Sequence, residues 1–163
     1  MDYVARLHVS IVGIRPYCGA MSKHHASAQW NGSVPTGTGT MRLGKAGPEI
    51  PYNLTARIEE EAGTNPEQLV AAAHAGCFSM ALTSLIEDAG VDAADVQITT
   101  SAVAHLVQRS DGFWIDRIDL NVRGQVPGMD ESTFVALATK AKETCPVSKL
   151  YSSAEITLDA ALA

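Results

Sequence analysis

The chain is short of cysteine, of aromatic residues and of basic charge, and each shortage removes a class of protein. Its three cysteines, Cys18, Cys77 and Cys145, are odd in number and far apart, unlike the framework of a small disulfide-stapled secreted domain. No Cys-x-x-Cys pair or tight Cys/His cluster offers zinc-ligand spacing, and cytoplasmic thiols are the expected state. Lys and Arg number 12 against 18 Asp and Glu, giving a net charge of −6 with no basic block. A phosphate backbone is therefore not the expected partner. The first twenty residues carry Arg6 and Arg15 within a short alternation of Leu7, Val9 and Ile11, which lacks the unbroken apolar run of a secretory leader.

What is present suits one folded domain. The chain has 163 residues, and a domain near that size buries roughly 70% of its unfolded surface, enough for a real core. Residues 1–20 read as an N-terminal extension, either an extra edge strand or sequence upstream of a natural start at Met21. Residues 21–163 read as the domain itself.

The organising stretch is 65–90, NPEQLVAAAHAGCFSMALTSLIEDAG. Asn65 is a capping residue, Pro66 suits the first helical position, and Gln68 stands where a capping-box partner belongs. Gly90 is a left-handed stop. No formal charge falls between Leu69 and Ile86, and apolar or small residues cover most of the circumference. A helix of that kind is expected to be buried on all sides. It is long enough to span a membrane, but it is rich in Ala, Gly and Ser and flanked by acidic rather than basic residues. The reading is a central helix wrapped by sheet or by a partner subunit.

Strand signals surround it. Ser27 to Leu43 reads as strand, turn, strand around the Asn31-Gly32 hairpin signal. Pro51 to Ile58 alternates, with Tyr52, Leu54, Ala56 and Ile58 on one face and Arg57 on the polar face, which predicts a half-buried strand. Val96 to Leu106 alternates as well. Phe113 to Val126 returns as a strand whose phase flips, predicting a bulge near Asp116 or Arg117. Ser132 to Thr144 has a helical pattern with Phe134, Leu137, Ala138 and Ala141 inward, and Cys145-Pro146 ends it. Ala154 to Ala160 alternates as a last strand. The order β-β-β-α-β-β-α-β predicts an α+β fold with mostly antiparallel pairing.

Five side chains in this pattern have chemical potential, and each has a plainer alternative. Cys77, mid-helix among apolar neighbours, is either inert packing or a nucleophile that needs a cation or donor to favour its thiolate. Arg57 is either a surface ion-pair partner of Glu59 or Glu61 or that cation. Glu67 complements the helix dipole or holds Arg57 in place. His74, three residues before Cys77, is a satisfied core histidine or a base. Cys145 is a small buried residue or a resolving thiol where the chain turns.

Several motifs in order then resemble one family: GTNPEQLVAAAHAGCFSMAL, VPGMD-STF, KAKETCPVSK and AEITLD, with Trp30-Asn31-Gly32 upstream. Together they resemble the OsmC/Ohr family of osmotically inducible and organic hydroperoxide resistance proteins over Ala28 to the C-terminus. Ala-His-Ala before Cys77 and Cys-Pro-Val-Ser at Cys145 resemble the OsmC branch. The resemblance implies mostly antiparallel sheets around long central helices in an intertwined homodimer, with active sites at the subunit interface. It implies a thiol peroxidase that reduces organic hydroperoxides and hydrogen peroxide. By position, Cys77 matches the peroxidatic cysteine and Cys145 the resolving one. Arg57 matches the arginine that polarises peroxide, and Glu67 the carboxylate that orients it. A dithiol of the lipoamide type is the implied reductant, with no metal or flavin. The rival reading is a non-enzymatic module that binds a hydrophobic ligand at the dimer interface.

Overall fold

A helix of 23 residues, Pro66–Asp88, organises the fold and buries one face, that of His74, Phe78, Leu82 and Ile86. Its start is the predicted capping box: the Asn65 side chain accepts from the Gln68 N–H at 2.8 Å, and the Gln68 side chain accepts from the Asn65 N–H at 3.3 Å. Its end is a reciprocal stop, with Gly90 at φ +90°. There the Gly90 N–H donates to the Glu87 carbonyl at 2.9 Å and the Val91 N–H to the Ile86 carbonyl at 3.3 Å.

The computed structural model describes residues 22–59 and 63–163. The extension with Cys18, the expected edge strand, the boundary at Met21, and Glu60 and Glu61 lie outside the described residues. In chain order the strands are β1 (Ala26–Asn31), β2 (Thr38–Leu43), β3 (Glu49–Tyr52), β4 (Gln97–Arg109), β5 (Gly112–Gln125) and β6 (Glu155–Leu162). The helices are α1 (Leu54–Ile58), the central α2, α3 (Glu131–Thr144) and α4 (Pro146–Leu150). The first sheet has the order β1-β2-β3, antiparallel throughout. The second has the order β4-β5-β6, antiparallel between β4 and β5 and parallel between β5 and β6. The parallel pair is joined by the α3–α4 crossover, as a parallel connection requires. The architecture is α+β with mostly antiparallel pairing.

The core lies between α2 and the second sheet, closed by α3. Phe78, Leu82 and Ile86, spaced one turn apart on α2, pack with Leu120 and Val122 of β5 and with Phe134, Ala138 and Ala141 of α3. Ser79 ties α2 to β4 through Thr100 at 2.8 Å. Phe134 lies over Gly124, where any side chain would overlap its ring.

Four expectations need correction. Residues 51–58 are not one strand. β3 ends at Tyr52, and the Asn53 side chain accepts from the Ala56 N–H at 2.8 Å, capping α1. The Asn31-Gly32 hairpin is closed by a six-residue loop rather than a two-residue turn, since Asn31 pairs with Thr38. A second helix, α4, starts directly after α3, with Cys145 closing one and opening the other. Lastly, α2 is not enclosed on every side within one chain: Met80 is 76% exposed, and Ala72, Ala73, Gly76 and Ser84 share its open side. The bulge falls as expected, because His105 pairs with Arg117 and Leu106 with Ile115, leaving Asp116 unmatched.

Candidate active site

The sulfur atoms of Cys77 and Cys145 lie 3.3 Å apart. Cys77 projects from the middle of α2 and is partly exposed, while Cys145 is fully buried at the α3–α4 junction. Proline at 146 explains the junction locally. It disfavours helical backbone at Cys145, and its missing N–H makes it a good first residue for the next helix. Cys145 is thereby the N-cap of α4. It makes no side-chain capping hydrogen bond, and the first-turn N–H groups of Val147 and Ser148 act on it as charge-favouring neighbours.

These groups divide the electrostatics unevenly. Burial pushes the Cys145 thiol up. The Ser148 N–H, the Cys77 thiol, the Ser148 hydroxyl and the Val147 N–H outweigh it, and the net direction is down. Burial also pushes Cys77 up, opposed by the Val147 N–H and reinforced by the neighbouring Cys145, and its net direction is up. Within one chain the thiolate-favouring donors therefore serve Cys145 more than Cys77, which the Val147 N–H also assists.

Arg57 and Glu67 form the second half of the predicted set. Arg57 extends from α1, not from a strand, and its Nε and a terminal nitrogen both donate to one Glu67 oxygen, at 2.9 and 2.7 Å. That pairing, rather than one with Glu59, is the one the described residues make. Glu67 is 11% exposed in its side chain, and its other oxygen is buried without a partner among the described residues. Arg57 lines two cavities. One, of about 200 Å³, has an apolar wall of Trp30, Val34, Tyr52 and Leu54, with the Trp30 and Tyr52 rings 5.3 Å apart. The other, of about 250 Å³, lies between the start of α2 and β4, against Gln68, Ala71 and Val103.

The two halves do not meet within one chain. Glu67 and Cys77 are ten residues apart on α2, about 15 Å of helical rise, and neither cavity that Arg57 lines includes a cysteine.

His74 belongs to the cysteine half. It is fully buried, its Nε2 is 2.8 Å from the Ser148 hydroxyl, and burial lowers its pKa, which keeps the imidazole neutral. Sequence reasoning singled out His74 but missed Ser148. The only signal for Ser148 is its place three residues after a Cys-Pro helix start, where a first-turn residue faces the cap. It missed Tyr52 and Val34 too, since nothing local tells a pocket wall from a core face. No group of three or more His, Cys, Asp or Glu among the described residues is placed to hold a metal ion.

Comparison with known proteins agrees with the motif reading. The family described as OsmC-like protein matches residues 59–160. The chain belongs to the OsmC/Ohr family. It is 44% identical to peroxiredoxin OsmC of Escherichia coli K12 over 134 residues, 81% of this chain and 91% of that protein. It is 35% identical to organic hydroperoxide resistance protein OhrA of Bacillus subtilis over 102 residues, 62% of this chain and 70% of the other. Among OsmC/Ohr structures, an organic hydroperoxide resistance protein from Elizabethkingia anophelis superposes with a TM-score of 0.67 at 21% identity, over 88% of this chain and 100% of that one. An OsmC-like protein of unknown function from Vibrio cholerae also gives 0.67, at 18% identity, over 86% and 99%. At such identities the superpositions speak to the fold alone.

Proposed function

We propose that this chain is a cytoplasmic thiol peroxidase that reduces organic hydroperoxides, and hydrogen peroxide, through Cys77. Cys145 is the resolving thiol, and an external dithiol of the lipoamide type restores the enzyme. Chains of this family are peroxiredoxin-like, hydroperoxide-reducing enzymes with a role in hydroperoxide defence. The observation that carries the finer reading is the 3.3 Å approach of two free sulfurs.

The chemistry follows in three steps. The Cys77 thiolate attacks one peroxide oxygen, the O–O bond breaks, and the departing alkoxide takes a proton to become an alcohol. Cys77 is left as a sulfenic acid. Cys145 attacks that sulfur, a disulfide forms and water leaves. Thiol exchange with a dithiol then returns both thiols.

A second copy of the chain supplies what one copy lacks. The open side of α2 presents Ala72, Ala73 and Gly76, small enough for close helix approach. Two such helices crossing antiparallel near Ala72, about a two-fold axis, place Glu67 of each opposite Cys77 of the other, because such an interface is reciprocal. Arg57 then reaches the partner's sulfur, and its guanidinium lowers the thiol pKa that burial raises. The homodimer also covers Met80. The apolar cavity beside Arg57 suits the alkyl group of an organic hydroperoxide.

The test is peroxide consumption by wild type and Cys77→Ser with excess dithiothreitol. Loss of turnover to the uncatalysed level is expected, and equal rates would end the proposal. The aromatic-walled cavity also favours a second reading, a module that binds an apolar ligand without chemistry. That reading predicts no Cys77–Cys145 disulfide in peroxide-treated protein.

A further inference from the structure

We propose that His74 and Ser148 are positioning residues for the resolving step, holding a hydroxyl donor on the Cys145 sulfur as it attacks and, later, as it departs. The inference rests on the peroxidase reading above and adds two residues to it.

The argument starts from where one proton must lie. His74 is fully buried, with Nε2 2.8 Å from the Ser148 oxygen and Nδ1 buried without a partner among the described residues. A neutral imidazole carries a single N–H. A proton on Nδ1 would orphan a buried donor, which is rarer in folded proteins than an orphaned acceptor. The proton therefore belongs on Nε2, where it donates to the Ser148 oxygen. That occupies one of the oxygen's two lone pairs and leaves the Ser148 O–H free to point elsewhere. Ser148 is itself 5% exposed and sits in the first turn of α4, the helix that Cys145 caps, where its hydroxyl and N–H favour the Cys145 thiolate. The Tyr151 ring, edge-on to the imidazole at 5.7 Å, fixes the plane of His74. His74 and Cys77 stand three residues apart on α2, so the same helix face that carries the first thiol orients the donor for the second.

In resolution, Cys145 gives up its proton and attacks the Cys77 sulfenic sulfur. The S–S bond forms, the S–O bond breaks, and the leaving hydroxide takes up a proton to become water. In reduction, an external thiolate attacks Cys77, the more exposed sulfur. The S–S bond breaks and Cys145 leaves with the electron pair. Ser148 is chemically unchanged in both. A donor that holds the anion aids both steps: it raises the thiolate fraction for attack by more than it lowers intrinsic nucleophilicity, and a stabler thiolate leaves faster.

The experiment separates the two steps. Wild type, Ser148→Ala, Ser148→Thr, His74→Phe and His74→Gln are each mixed with one equivalent of cumene hydroperoxide. They are quenched at intervals with dimedone, and the Cys77 adduct and Cys77–Cys145 disulfide are quantified by mass spectrometry. Ser148→Ala and His74→Phe should form the sulfenic acid at the wild-type rate and the disulfide about tenfold more slowly, the worth of a hydrogen bond to a charged group. Ser148→Thr and His74→Gln, which keep the donors, should restore the second step. Wild-type disulfide rates in Ser148→Ala and His74→Phe would overturn the inference. So would equal slowing of both steps without rescue, the mark of a packing defect. If wild type itself yields neither the Cys77 adduct nor the Cys77–Cys145 disulfide, the peroxidase reading falls, and this one with it.

Discussion

Cys77 and Cys145 are 68 positions apart in the chain and 3.3 Å apart at their sulfurs. Two helices with no shared turn bring them together, α2 presenting one mid-length and the α3–α4 junction presenting the other. Such proximity asks for little movement before a bond forms, and it defines what each single substitution should do.

Cys145→Ser should consume one equivalent of hydroperoxide at the wild-type rate and then stall. With no resolving thiol, the Cys77 sulfenic acid persists and a second equivalent drives it to the sulfinic acid. Intact-mass measurement should show one added oxygen after the first equivalent and two after excess. A variant that never consumes the first equivalent would count against the assigned roles.

Arg57→Ala and Cys77→Ser should each be inactive alone and active together. If Arg57 serves the partner's sulfur, a mixed dimer contains one complete site, so exchanged subunits should recover up to half of the wild-type rate per dimer. If both groups act within one chain, the mixture stays inactive. Steady-state assays before and after subunit exchange decide between the two.

Stability should fall as the solution is acidified below neutrality, and His74 should cause it. Its folded pKa is lowered from 6.5 by burial. Below about pH 6.5 the unfolded chain therefore binds a proton that the folded chain refuses, and the loss grows until the folded pKa is reached. Asp130 has the usual carboxylate sign. Hydrogen bonds from Ser132 and Thr133 hold its pKa well below 3.8, so its contribution is intact at higher pH and is lost only as pH falls below that value. Urea midpoints between pH 7.5 and 5 should decline for wild type and less steeply for His74→Gln.

Gly124→Ala should destabilise the chain by about 1–3 kcal/mol, the cost of overpacking a filled core, because the new methyl meets the buried Phe134 ring. Phe134→Leu in the same chain should relieve part of that clash. The two effects should therefore add to less than their sum, as contacting residues do. Chemical denaturation of the four proteins gives the coupling directly.

Much of this was legible in the residues, for reasons that differ by element. The ends of α2 were readable because Asn65, Pro66, Gln68 and Gly90 act within a turn of themselves. The bulge at Asp116 was readable because a strand's phase cannot flip without an extra residue. Tyr52, Leu54, Ala56 and Ile58 misled. Their period-two spacing mimics a strand, and five residues of α1 are too few to show a helical period, so the Asn53 cap decides the structure instead. α4 was hidden because Pro146 was read only as the end of α3, although proline equally begins a helix. The Cys77–Cys145 pairing came from family resemblance, whereas the residues alone offered Arg57 with Glu67 as one of two alternatives. The distance between those two pairs within one chain is a fact of helix length that no motif states.

Cys145 ends one helix, opens the next and meets a third through its thiol, so a bond from it to Cys77 would lock a loop of 68 positions into the unfolded chain. By the loop-entropy relation that is worth about 4 kcal/mol, or roughly 10 °C in melting temperature for a domain of this size. Heat resistance would then rise and fall with each catalytic cycle. A simple melting curve on protein drawn from stressed cells would report what fraction had just met an oxidant.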